Sequence, residues 1–365
     1  MNLPHPDASL KTDAGLSPLL EVTCTPRTDS GLLAMGLLLT FKDWFKPAPP
    51  PSPILQGAMD RVCAVVEPTL NTLPYLGKKL GPVLEPTLKY CRHLVADLPG
   101  PFVVDRPAFS SSPLIHALFP STDDIIVMLG KSQSVHEYLE TPESKESETF
   151  YAMLAARPQR RRNLGMAYDG KVLQSDAIIE YLYFADHVLV ELANSLEATQ
   201  EKLRQRAFDS LLKTFRSGLK AKREERQRLQ EARDQERDQI NVMRSMGNAA
   251  KLEEHQQRLK EIETQLLQNI ESLRPERIID PLVEFLAAPE NALHFEKMTL
   301  MLDRCGVITS NDKGVTPGGA EAIDFQQIIG RDRRRYVGLL VQIRRSDVLE
   351  AVAQMKGAQQ RYLVI

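Results

Sequence analysis

Near the C-terminus of this 365-residue chain stand Arg331, Arg333, Arg334, Arg335, Arg344 and Arg345, with Asp332 the one acid between 331 and 345. Guanidiniums in such density can hold phosphates, and charge without base contacts gives salt-dependent, sequence-independent affinity for nucleic acid. Tyr336 is the stacking partner at hand. The plainer reading is a solvated strand edge that its charge keeps from aggregating. A second cluster, Arg157, Arg160, Arg161 and Arg162, has no acid among its residues.

Other motifs point to chemistry more weakly. Gly130-Lys131-Ser132 follows an apolar run, but a phosphate loop needs glycine five residues before Gly130, and Ile125 stands there. Cys91 and His93 offer two metal-ligand types, yet two-residue spacing points them apart on a helix. Asp186-His187 joins a carboxylate to an imidazole, the components of acid–base catalysis. As neighbours on a helix they would not face each other. No HExxH, GxSxG or GxGxxG occurs. No nucleophile, base and oxyanion donor can be assembled, and no cofactor or metal is implied.

Several elements would position these residues. Residues 1–53 read as a disordered leader, with a short apolar stretch from Met35 and a stiff proline-rich linker, Pro47 to Pro53. Met35 is an alternative start of translation. Leu37, Phe41, Trp44 and Phe45 could give weak peripheral membrane contact, though a membrane partner is not expected. Residues 54–156 read as a helical domain interrupted by proline. In it, Val66 to Leu70 and Leu84 to Leu88 echo each other. Ser121 caps a helix whose first turn holds Asp123 and Asp124. Residues 157–174 read as a basic loop and a short hairpin about Asp169-Gly170.

From Ser175 the apolar residues Ile178, Leu182, Ala185, Leu189, Leu192 and Leu196 recur in steps of four and three, which predicts a long helix. Between Lys220 and Asp238 seven basic and six acidic residues alternate, as on an exposed helix. Gly247-Asn248 offers a turn, and Leu252, Leu259, Leu266 and Leu273 form a second helix with heptad spacing. Residues 175–273 are therefore expected to fold as a helical hairpin arm. Its interaction face would be Leu229, Met243, Leu252, Leu259, Leu266 and Leu273. Residues 274–365 read as an α+β domain with strands near 298–308 and 335–344, a glycine-rich loop from Asn311 to Gly319, a helix capped by Ser346 and a last strand at Tyr362 to Ile365.

Composition sets the outer limits. Hydrophobic residues make up 42% and charged ones 26%, with a net charge of −2 that gives no global attraction to nucleic acid or anionic membrane. Cys24, Cys63, Cys91 and Cys305 lie too far apart for a disulfide framework, which suits a reducing cytoplasm. No apolar run reaches the roughly 18 residues of a membrane span. The expected fold is mainly α, with a small α+β C-terminal unit and a long antiparallel, coiled-coil-like helical hairpin in the middle. The expected function is a non-enzymatic scaffold or adaptor acting through protein–protein contacts of the arm, self-association included. The alternative is a nucleic-acid-associated protein using the C-terminal arginines. An enzyme of unrecognised type comes third.

Overall fold

A computed structural model describes residues 52–168, 173–247, 249–303, 306–308, 320–330 and 335–362. The leader, the Asp169-Gly170 turn, the loop from Asn311 to Gly319, Arg331, Arg333, Arg334 and residues 363–365 lie outside the described residues. The chain begins with α1 (Pro53–Val65), capped by the Ser52 hydroxyl and opened by a proline in its first turn. After it come a 3-10 turn (Pro68–Thr72) and α2 (Leu76–Ala96). The two echoing segments diverge here. Pro68 opens the 3-10 turn, whereas Pro86 lies inside α2.

A short strand β1 (Phe102–Val103) precedes five small helices: α3 (Arg106–Ser111), α4 (Pro113–Leu118), α5 (Thr122–Lys131), α6 (Gln133–Leu139) and α7 (Glu143–Glu146). Two long strands follow, β2 (Thr149–Tyr168) and β3 (Leu173–Ala193), paired antiparallel. Then α8 (Leu196–Met246) runs for 51 residues, and Gly247 ends it at φ 68, a left-handed conformation suited to glycine. Next are α9 (Ala249–Ser272), α10 (Pro275–Ala287), β4 (Leu293–Leu302), β5 (Glu321–Gly330), β6 (Arg335–Arg344) and α11 (Arg345–Tyr362). None of the described helices is long and apolar enough to cross a membrane.

The expectation of a mainly α chain with a small C-terminal α+β unit is overturned. One six-stranded sheet, ordered β3-β2-β6-β5-β4 with β1 parallel to β6, draws strands from both sides of the helical hairpin. Residues 175–193, expected to start the long helix, are strand β3 instead. The difference has a physical cause. At Asp186 and Glu191 the register between β2 and β3 shifts, and both residues have positive φ, 54° and 55°. Each bulge advances the inward phase by one residue, so the apolar spacing of a bulged strand imitates steps of three and four. The β-branched and aromatic residues Ile178, Ile179, Tyr181, Tyr183, Phe184, Val188 and Val190 were the signal for a strand.

The sheet's two faces bury different partners. Phe150, Leu154, Phe184, Phe325, Leu339, Val341 and Ile343 turn one way, against Ile115, Leu118, Leu129 and Val348 of the small helices and α11. On the other face Met153, Val190 and Leu340 meet Val95 of α2 and Leu203 of α8. A third core joins α1, α2, the root of α8 and α10 through Leu80, Leu84, Leu211, Leu212, Ile279 and Leu282. At the sheet's far edge Leu302 bridges Ile308 and Val307 bridges Tyr181, so the strand order returns to β3 through residues 306–308.

Two glycines make the packing testable. A Cβ on Gly130 in α5 would sit 2.6 Å from the Ala351 carbonyl oxygen in α11, while one on Gly218 in α8 would meet nothing within 4 Å. Gly130→Ala is expected to destabilise by about 1–3 kcal/mol through forced separation of the two helices. Gly218→Ala should stabilise by roughly 0.5–1 kcal/mol through lost unfolded-state entropy. Thermal melts of the two variants should move in opposite directions; a rise for Gly130→Ala would refute the close helix contact.

Candidate functional site

The arm covers most of its apolar heptads internally. Leu229 and Leu266 are buried, and Met243, Leu252, Leu259 and Leu273 are half-buried. Ile240 joins the buried set. Polar groups share the seam: the Glu236 carboxylate lies 2.7 Å from Nδ1 of His255, and Arg237 pairs with Glu263 at 2.8 Å. Leu229 and Ile240 of α8 and Leu266 of α9 are thus buried along the arm, whereas Leu273, past the end of α9, packs against the core shared with α1, α2 and α10. The large apolar side chains the arm leaves open to solvent are Val242, Met246, Leu267 and Ile270.

The C-terminal arginines divide. Val337 of β6 pairs with Ala156, which puts Arg335 at the β2 end that carries Arg157, while Arg344 pairs with Thr149 at the other end. Nine residues of strand, roughly 30 Å, separate Arg335 from Arg344. Each faces an acid: Arg335 is 3.7 Å from Glu296, and Arg344 is 3.6 Å from Asp105. Arg345 keeps its Nε buried and without a partner. The strand thus brings Arg335 toward the 157–162 cluster and carries Arg344 and Arg345 away from it.

That second cluster lies at the base of a long β2–β3 ribbon. Pairing of β2 with β6 stops at Ala156, but β2 and β3 stay paired out to Tyr168 and Leu173. About twelve residues of β2, roughly 40 Å, therefore extend past β6 paired with β3, while residues 306–308 line the outer edge of β3 at Glu180 to Leu182, and Leu182 and Phe184 are buried in the core. Its register sets Gln159 opposite Tyr183 and Arg161 opposite Tyr181, so one face alternates cationic, polar and aromatic groups. The Tyr183 hydroxyl donates to the Gln159 side-chain oxygen at 2.5 Å, and the residue is 40% exposed. Arg157 is 2.8 Å from Asp186, and Arg162 is 3.6 Å from Glu180. Arg160 and Arg161 are exposed and have no ion-pair partner among the described residues. On the opposite face Leu164 pairs with Ile178, and both are open to solvent with Met166. The apolar spacing of residues 175–193 matches a helical period, which would scatter Tyr181 and Tyr183 around an axis, whereas the strand sets them on one face.

Comparison with protein-family models, curated proteins and solved structures finds no match.

The remaining motifs resolve into structural parts. Gly130 lies in a helix pressed on α11. Cys91 is buried in α2, and burial pushes its thiol up to about 12, while His93 two residues on is exposed. Asp186 and His187 sit on a bulge, where the carboxylate turns to Arg157. The His187 ring stacks on Phe119 with centroids 4.7 Å apart, and its Nε2–H donates to the Leu118 carbonyl at 2.8 Å. Burial holds this imidazole below its ordinary value, against the opposing effects of the Leu118 carbonyl, Asp124 and Asp186.

The unfolded chain therefore takes up a proton at this position near pH 6.5, before the folded chain does. The associated stability is present above that pH and declines as pH falls toward the lower folded value. His187→Gln, which keeps a donor for Leu118, is expected to make the loss of stability between about pH 7 and pH 5 shallower. Urea denaturation at several pH values measures the slope. An unchanged slope would remove His187 as its source.

Proposed function

We propose that this chain is a scaffold or adaptor that works by protein–protein contact along its helical arm, self-association included, in a reducing cytoplasm. The observation that carries this reading is the independence of the arm from the body. Leu219 belongs to the core shared with α1, α2 and α10, and Arg223 pairs with Glu67. Past Arg223, the side-chain bonds that join α8 to another element reach α9 among the described residues. Leu229, Ile240 and Leu266 are buried outside the three body cores. The last 23 residues of α8, about 35 Å of helix, thus stand beyond the body with an interior of their own.

Such an arm adds little to the stability of the sheet, so its length is best accounted for by contact with another surface. Leu267 is 68% exposed and Ile270 one turn on is 38% exposed, beside charged residues that suit an interface rim. Cys63 and Cys91, both free thiols buried in α1 and α2, agree with a reducing setting.

Replacing residues 226–265 by a short glycine-containing turn tests the reading. The body should keep its melting temperature within a few degrees, because Leu219 and Leu273 remain to close the core. Sedimentation velocity over a wide concentration range should show association of the full chain that the shortened one lacks. If the shortened chain associates as strongly, or the full chain stays monomeric, self-association through the arm is ruled out. The scaffold reading would then rest on a hetero-partner, sought by cross-linking from position 267; failure of both experiments would end it.

A further inference from the structure

We propose that the β2–β3 ribbon binds single-stranded nucleic acid on the face that carries Arg161, Tyr181 and Tyr183; Arg160, opposite Leu182, lies on the other face. This site is separate from the arm and does not depend on the scaffold reading. Strand β2 holds four arginines and no acid from Thr149 to Tyr168. Two of the four guanidiniums already meet a carboxylate, Arg157 with Asp186 and Arg162 with Glu180. Arg160 and Arg161 remain exposed and without a carboxylate among the described residues. A cation left open on a strand between two neutralised ones is placed to meet an external anion, and a phosphate accepts both arms of a guanidinium.

The aromatic rings decide which anion. Tyr181 and Tyr183 are two residues apart on one face, roughly 7 Å, and directly opposite Arg161 and Gln159. The hydrogen bond from the Tyr183 hydroxyl to Gln159 fixes that ring across the ribbon. Rings of this kind stack on bases while the neighbouring cations follow the backbone, and every base has a π-face, so recognition is tolerant of sequence. A duplex keeps its bases stacked inside and would use the arginines but not the tyrosines. An acidic peptide or an anionic lipid surface would likewise leave the rings without a role. The same face continues toward the tip through Asn163 opposite Ile179 and Gly165 opposite Ala177, with the Ile179 side chain lying over Gly165.

The experiment measures fluorescence anisotropy of labelled oligo(dT) and oligo(U) titrated with the full-length chain. Binding of single strands is expected to exceed that of a duplex of equal length at least tenfold. It should fall by about tenfold between roughly 50 and 200 mM salt, the response to two or three phosphate contacts on a single strand. Arg161→Ala should weaken binding at least fivefold and flatten the salt dependence, while Arg160→Ala on the other face should change it less. Tyr183→Ala should weaken it fivefold or more, with Tyr183→Phe restoring most of the loss, a rescue that charge alone would not predict. Leu164→Ser/Ile178→Ser on the opposite face and Arg228→Ala on the arm should leave binding unchanged. Circular dichroism and melting confirm that each variant is folded. The proposal is overturned by absence of binding at low salt, by equal affinity for duplex, by indifference to Tyr183→Ala, or by preference for oligo-glutamate or anionic phospholipid vesicles over both oligonucleotides.

Discussion

The pairing of β2 with β6 carries the rest of the structure. Across it, Phe150, Ala152, Leu154 and Ala156 lie beside Val337, Leu339, Val341 and Ile343, all essentially inaccessible to water. At roughly 1.5–3 kcal/mol for each large side chain removed from water, these few rungs make a large part of the drive to fold. They are buried on both faces, since Met153 and Leu340 fill the other side against α2 and α8. Every layer is attached to this seam. The small helices close over one face, α8 leaves from the other, and the ribbon is the part of β2 that outlasts its neighbour.

Helix α8 then links two regions of different composition. Its first half is anchored by Phe208, Leu211 and Leu212 in the body, with Thr199 buried at the start, its hydroxyl 3.1 Å from the Tyr151 carbonyl oxygen. Its second half is held to α9 by a thin apolar line broken by charge, including His255 against Glu236. Exposed ion pairs on such a helix contribute little individually, so the far half depends on Leu229, Ile240 and Leu266. The same backbone is therefore a core element at one end and a lightly fastened one at the other, and the free energy of opening should fall along its length.

Part of this was legible in the residues. The Ser121 cap with Asp123 and Asp124 marks the start of α5, and the recurrence of Val337, Leu339, Val341 and Ile343 at every second position marks β6. Gly247 marks the end of α8. Long-range pairing was not legible, because nothing local tells Thr149 that its partner is Arg344, nearly two hundred positions away. Strand β3 was hidden by its bulges, and with it went the sheet, the ribbon and the tyrosine face. Among the candidate contacts, the leucine line was visible from spacing alone, since a seam repeats along one helix. The ribbon's composite face was not, because it exists only once two strands are in register.

Those bulges have a consequence of their own. A hairpin of strands this long could slide by two residues and keep its inward faces inward. Asp186 and Glu191 prevent this. Each occupies a left-handed conformation that costs an L-residue about 1–2 kcal/mol, and each carboxylate meets a specific arginine, Asp186 with Arg157 on the facing strand and Glu191 with Arg206 on α8. A slipped hairpin would keep the backbone penalty and lose both ion pairs. The two acids act as pins that index β3 against β2 and against the helix behind it, so the strain selects a single alignment of the hairpin.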